Sequence, residues 1–308
     1  MKSRFLFPRY FRPLGWLLII PGFILGYFVV FQSYEIAGFG LVLREKSSMF
    51  IPAFENLTNE LALTMVIIGL LFVAFARLKQ EDELTALLRL NALYWAILVN
   101  YIFYGVLLLL MLFNSIAATN EINSTINWLT GNMKFMIYNL FMPLVIFIGR
   151  FYYLLHKSKT EYQVKPLRFL PHKPYNLIGK VLSIPLIIIA FPLLFGIMDF
   201  FGKYNNFAGV LFCILPFIML IWVYSKEKQE DKYINHIRLE AMQIAVYGNY
   251  AMLLLSNLFL FSVLFLLILW VNLITIPLIF LIVFKYRMWK LSKQDSTARI
   301  DSLKLGIL

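Results

Sequence analysis

Two sets of polar residues share one spacing in a chain that is otherwise strongly apolar: Asp82, Arg89 and Asn100, then Asp231, Arg238 and Asn249. A carboxylate, a guanidinium and an amide at such intervals could line a path for an ion or a small polar solute if one helix face carries them. At 100° per residue Asp82, Arg89, Ala96 and Asn100 fall within about 40° of one another. Asp231, Arg238, Ala245 and Asn249 form the same stripe. Polar groups inside a membrane are costly and often mark pathways, so one expectation is a polar seam between two copies of the stripe. A second is a docking surface for a cytoplasmic partner. The simplest is structural: carboxylates complementing helix N-termini, arginines meeting lipid phosphate, and asparagines bonding between helices.

The stripes belong to one segment written twice. KQEDELTALLRLNALYWAILVNY (79–101) recurs as KQEDKYINHIRLEAMQIAVYGNY (228–250), 149 positions on and with ten identities. Such an echo marks an internal duplication. It extends outward. Gly15 and Ile20-Pro21 match Gly179 and Ile184-Pro185 at a spacing of 164, and Pro143 and Tyr152 match Pro277 and Tyr286 at 134. The falling spacing assigns extra residues to the first half, with 33–60 and 114–132 as their hosts.

The elements that must hold these residues are membrane helices. The chain is 61% hydrophobic and 14% charged, against about 25% charged for a soluble domain. Apolar runs predict spans at 15–32, 61–77, 90–113, 134–155, 177–200, 207–225, 240–260 and 263–286. The stretch 241–286 is too long for one crossing: 46 residues make about 69 Å of helix against a core of about 30 Å. It must turn back near Ser256, Asn257 and Ser262. Helices 3 and 7 are expected to begin near Gln80 and Gln229. The expected fold is an all-α integral membrane protein of eight transmembrane helices in two parallel four-helix repeats. The first repeat spans 1–155 and the second 177–286, joined by a basic cytoplasmic linker at 156–176 and followed by a short cytoplasmic tail at 287–308. Even-numbered repeats keep their orientation, unlike inverted ones.

Eight spans divide the 28 Lys and Arg unevenly: only Arg44, Lys46, Lys134 and Lys203 fall on one side. The positive-inside rule puts both termini in the cytoplasm. The net charge of +12 then reflects topology and anionic headgroups rather than nucleic acid, for which no recognition element is readable. The basic N-terminus lacks a small-residue cleavage site, so it is expected to be a retained first helix. The expected partner is the lipid bilayer, with the cytoplasmic helix ends open to a protein partner and the oligomeric state undecided.

Catalytic signatures are missing. No phosphate-binding loop, zinc-protease motif, nucleophile elbow or dinucleotide turn occurs. His156, His172 and His236 have no metal-binding spacing, and Cys213 sits in an apolar run without a His to activate it. No catalytic residue, cofactor or metal is expected. Asn56-Leu57-Thr58 and Asn123-Ser124-Thr125 match the glycosylation sequon, more plausibly by chance in Asn-rich loops.

The Lys-Gln-Glu-Asp start, the Arg-Leu-x-Ala after it, the closing Asn-Tyr and the Ile-Pro of the opening helix resemble an uncharacterised group of multi-pass inner-membrane proteins of Bacteroidetes-type bacteria. The resemblance covers each half separately and is weaker in 79–101. It implies a bacterial inner-membrane home and no particular activity. The resulting expectation is a non-catalytic regulatory, sensory or scaffold protein acting through the cytoplasmic ends of helices 3 and 7. The alternative is a small-solute or ion transporter or channel with its path at the repeat interface, lined by Asn100 and Asn249.

Overall fold

The computed structural model describes residues 5–43, 45, 53–117, 140–158, 167–195, 210–211, 213–228, 230–261 and 263–305. The second sequon, Arg44, Lys46, Lys134, Lys203, Gln229 and residues 118–132 of the expected host 114–132 lie outside the described residues. Among the described residues are the helices α1 (Phe11–Gln32), α2 (Thr58–Phe75), α3 (Glu83–Ala117), α4 (Met142–Lys157), α5 (Leu177–Phe195), α6 (Cys213–Val223), α7 (Lys232–Phe259) and α8 (Val263–Leu305). A two-stranded antiparallel hairpin, β1 (Gly40–Val42) and β2 (Phe54–Asn56), stands between α1 and α2, with Leu41 opposite Glu55. Five of the helical stretches are long and apolar enough to cross a membrane: 11–32, 58–75, 83–110, 172–190 and 267–294. The protein is a multi-pass helical membrane protein.

Each predicted span overlaps a helix among the described residues, with several boundaries different and 134–139, 196–200 and 207–209 outside those residues. The turn in the long apolar stretch falls between Phe259 and Val263, as expected. Helices α3 and α7 begin three residues later than predicted, at Glu83 and Lys232, because Asp82 and Asp231 serve as caps rather than helical residues. α8 does not stop near 286. Its 43 residues make about 64 Å of helix, roughly twice the bilayer core. The predicted tail at 287–305 is therefore a continuation of the last helix.

Glycines let the paired helices approach. A Cβ on Gly15 would stand 2.7 Å from the Gly69 carbonyl and from Val73, so α1 and α2 pack backbone to backbone there. A Cβ on Gly179 would stand 2.6 Å from Trp222, joining α5 to α6 in the same way. Small residues serve this purpose in membranes because dispersion contacts, not hydrophobic exclusion, hold helices together there. Trp16, Leu17, Ile20 and Ile24 of α1 and Val181, Leu182, Ile184 and Ile188 of α5 are exposed, as lipid-facing side chains would be. The core sits instead on α2, α3, α4, α6, α7 and α8.

Short extended segments brace one end of the bundle. Phe7 pairs with Ala76 as a parallel bridge: its N–H donates to Phe75 and its carbonyl accepts from Arg77. Leu170 repeats this with Ser225, donating to Tyr224 and accepting from Lys226. So the second part of the predicted linker at 156–176 is not a free connector. Leu167 and Phe169 pack on the core, and a tight turn at His172–Asn176 leads into α5.

Candidate functional site

The residues singled out by spacing separate into three structural roles. Asp82 and Asp231 are exposed caps. Asp82 Oδ1 accepts the Thr85 N–H at 2.8 Å while Thr85 Oγ1 accepts the Asp82 N–H at 3.0 Å, a reciprocal cap. Asp231 Oδ1 accepts the Ile234 N–H at 2.8 Å. Each satisfies a backbone donor that the first turn of a helix leaves without a partner.

Arg89 and Arg238 are turned into the protein rather than out toward lipid phosphate. Both are 1% exposed. Arg89 Nη1 donates to the Ala74 carbonyl and Nη2 to the Ala76 carbonyl, both at 3.1 Å, and Nη2 also meets Glu81 Oε1 at 2.8 Å. Arg238 Nη1 donates to Val223 at 3.1 Å and Nη2 to Ser225 at 2.9 Å, and Glu230 takes Nε at 2.9 Å and Nη2 at 3.2 Å. These carbonyls lie at the C-termini of α2 and α6, where a helix leaves acceptors without intrahelical donors. Each arginine thereby ties the end of one helix to the next through the intervening turn. The glutamates hold that turn as well: Glu81 accepts the Leu78 N–H at 2.7 Å and Glu230 the Glu227 N–H at 3.0 Å. Aromatic faces close the sites, Phe151 at 4.5 Å from the Arg89 guanidinium carbon and Phe169 and Phe284 at 4.6 and 4.7 Å from that of Arg238. Spacing alone did not single out Glu81 and Glu230. The signal was there: within the duplicated segment each stands eight residues before its arginine.

The asparagines lie deeper. Asn100 is 4% and Asn249 1% exposed, and Asn249 Oδ1 accepts from Asn272 Nδ2 at 2.8 Å, joining α7 to α8. Ala96 and Ala245 are buried beside them. The arginines and asparagines of the stripes thus point into the protein, while the aspartates stay at its surface. The hydrogen-bond partners of each arginine lie within its own half of the chain.

A neighbouring position proves more informative. Asn91 Oδ1 accepts from Arg150 Nε and Nη2 at 3.1 and 2.9 Å, linking α3 to α4. Glu240, 149 positions later, pairs with Arg287 and stands 3.3 Å from His236 Nε2, linking α7 to α8. Lys285 Nζ meets Glu227 Oε1 at 2.6 Å. The stacked pairs Phe147–Phe151 and Phe280–Phe284 lie 133 positions apart.

Tyrosines cross between the halves. Tyr94 donates to the Arg168 carbonyl and Tyr101 to that of Leu273 at 2.6 Å, while Tyr247 donates to that of Phe5 at 2.7 Å. Tyr224 donates to Tyr94 at 2.7 Å, and Asn257 Nδ2 donates to the Glu60 carbonyl at 2.9 Å. Of the first sequon, Asn56 Nδ2 donates to Ile36 and Oδ1 accepts from Thr58, so its amide is engaged in the fold. Comparisons with protein-family models, characterised proteins and solved structures find no match.

Proposed function

We propose that this chain is a non-catalytic regulatory or sensory scaffold of the bacterial inner membrane, built as two parallel four-helix repeats and acting through the end that holds the two arginine turns. The observation that carries the proposal is the attachment of α8 to that end. Lys285–Glu227 and Arg287–Glu240 fasten a helix reaching Leu305 to the α6–α7 turn and to α7. A displacement of α8 would therefore load the second arginine turn directly. Exposed Arg77, Lys79, Lys228, Lys232, Trp289 and Lys293 surround this end and offer a basic surface to an acidic partner or to anionic lipid.

Equivalent contacts support two repeats. The partners of Arg89 and Arg238, the bridges Phe7–Ala76 and Leu170–Ser225, and the glycine contacts Gly15–Val73 and Gly179–Trp222 all recur between the halves. Eight crossings follow if α4, α6 and α7 join the five long apolar stretches, and the cation distribution then favours cytoplasmic termini. A solute path is the less favoured reading, since Asn249 is engaged with Asn272 between helices.

The test is a chain truncated after Lys290, compared with charge reversal at Lys79, Lys228 and Lys232. The proposal expects both to abolish the phenotype that complementation of a deletion strain restores, with the bundle still folded. Full complementation by the truncated chain would overturn it. Single cysteines at Lys79 and Glu45, in a Cys213→Ser background, should react with an impermeant maleimide only at Glu45 in intact spheroplasts.

A further inference from the structure

Beside the second arginine turn, the extended strap Arg168–Pro171 lies between α3 and α6. The Leu170–Ser225 bridge ties it to the end of α6, and the Tyr94 hydroxyl of α3 donates to the Arg168 carbonyl. The strap and the two helices line a cavity of about 510 Å³, within the range of about 300–1,000 Å³ typical of small-molecule sites. One wall runs from Tyr94 to Ile102 on α3, and the other from Phe217 on α6 to Tyr224 just past its end. From Tyr94 to Ile102 the helix rises about 12 Å, so the cavity is elongated along α3. The apolar run of α3 opens at Ala92, which puts Tyr94 and the strap at its polar end.

We propose that this groove holds one chain of an anionic phospholipid, with the lipid phosphate at Arg168 and Lys226. The interior offers hydrocarbon: Leu98, Ile102, Phe217 and Ile221 form its sides. Ile102 is 54% exposed on a helix long and apolar enough to cross a membrane, so the groove opens toward lipid. The three lining tyrosines spend their hydroxyls on backbone carbonyls, Tyr94 on Arg168, Tyr224 on Tyr94 and Tyr101 on Leu273. Walls whose polar atoms are already paired favour an apolar occupant over a polar solute. The strap end supplies the charge. Arg168 is exposed, and it is the one charged residue among the described lining residues. Lys226 is exposed too, and its N–H donates to the Leu170 carbonyl of the strap. Glu227, next in the chain, is held by Lys285 at 2.6 Å. Cations at the polar end of an apolar slot between membrane helices match an anionic head on a hydrocarbon tail, which the bilayer itself provides. This site goes beyond the proposed scaffold role and does not rest on it; it needs only a chain embedded in a membrane.

The experiment is native mass spectrometry of the full chain released from a mild detergent, titrated with phosphatidylglycerol and, separately, with phosphatidylcholine of the same acyl chains. One phosphatidylglycerol should be retained more tightly than any phosphatidylcholine. Arg168→Gln should weaken that retention about fivefold, the worth of one cation facing an anionic headgroup. Arg9→Gln, at an exposed cation away from the groove, should leave it unchanged. Ile221→Trp fills the groove and should abolish it. Arg168 is exposed, so its variant keeps the test decisive if Ile221→Trp misfolds. Equal retention of the two lipids, equal loss in Arg9→Gln and Arg168→Gln, or undiminished retention in folded Ile221→Trp would each overturn the proposal. A dimer that Ile221→Trp dissociates while lipid retention stays the same would also overturn it, giving the groove to a second copy. The chain truncated after Lys290 should retain the lipid, which separates this result from the scaffold test.

Discussion

Glu230 holds Arg238 by two oxygens, at 2.9 and 3.2 Å, and eight residues separate them in the chain. Glu81 and Arg89 stand in the same relation at 2.8 Å. In each half the pair sits where one helix ends and the next begins, and the guanidinium fork spans both helices. Lys could not do this, since a single ammonium cannot meet two carbonyls and a carboxylate in that planar geometry.

Removing one of these arginines leaves two buried carbonyls without donors and takes the charge partner from a half-buried carboxylate that keeps its backbone donor. Arg89→Met and Arg238→Met should each destabilise the fold by about 3–5 kcal/mol, and Arg→Lys at either site should recover only part of that. Unfolding in mixed micelles with increasing denaturing detergent measures the loss. Unchanged midpoints in both methionine variants would contradict the role given to the turns.

Position 91 offers a gain. Asn91→Glu would set a carboxylate against Arg150, as Glu240 is set against Arg287 in the second half. The outcome should lie between neutral and about 1 kcal/mol more stable, since Arg150 is partly exposed. Thermal melting in nanodiscs reads the effect. Adding Arg150→Gln to the Asn91→Glu variant is the control that should reverse it.

The crossing tyrosines hold the two halves together. Tyr101→Phe and Tyr247→Phe should each cost about 1 kcal/mol, and their effects should add because their partners, Leu273 and Phe5, belong to different elements. Halves co-expressed as separate chains, cut at 160, should copurify in the unaltered form and separate at lower detergent in the double variant. Copurification insensitive to both substitutions would refute this account of the interface.

Burial first, and then Glu35, push the Glu55 carboxyl above its ordinary value. Its charged form is the disfavoured one in the fold. The penalty is complete above the raised pKa and vanishes below the ordinary value of 4.5, so the hairpin gains stability as pH falls through that window. Amide exchange in Gly40–Val42 should slow relative to Glu55→Gln over the same range. Parallel pH profiles in the two proteins would rule the effect out.

Much of the fold was legible because its signals are local. Apolar runs locate each helix, and the length of 241–286 forces a turn that falls between Phe259 and Val263. The α8 extension was not legible, since a polar helix beyond the apolar run of its span carries no hydropathy signal. At the site, the simplest reading of the stripes set carboxylates at helix N-termini and asparagines between helices, as Asp82, Asp231 and Asn249 are found, but gave the arginines lipid phosphate where they meet helix-end carbonyls.

By itself the sequence determined a multi-pass helical membrane protein and which residues its two halves share, because hydropathy and identity are properties of residues along the chain. Only the tertiary structure decided where the shared residues point. Asp82 and Asp231 became caps, and Arg89 and Arg238 closed on carbonyls 13 and 15 residues behind them. Helical periodicity gives the direction of a side chain about its own axis. It cannot say which neighbouring helix end supplies the acceptors that make burial of a guanidinium tolerable.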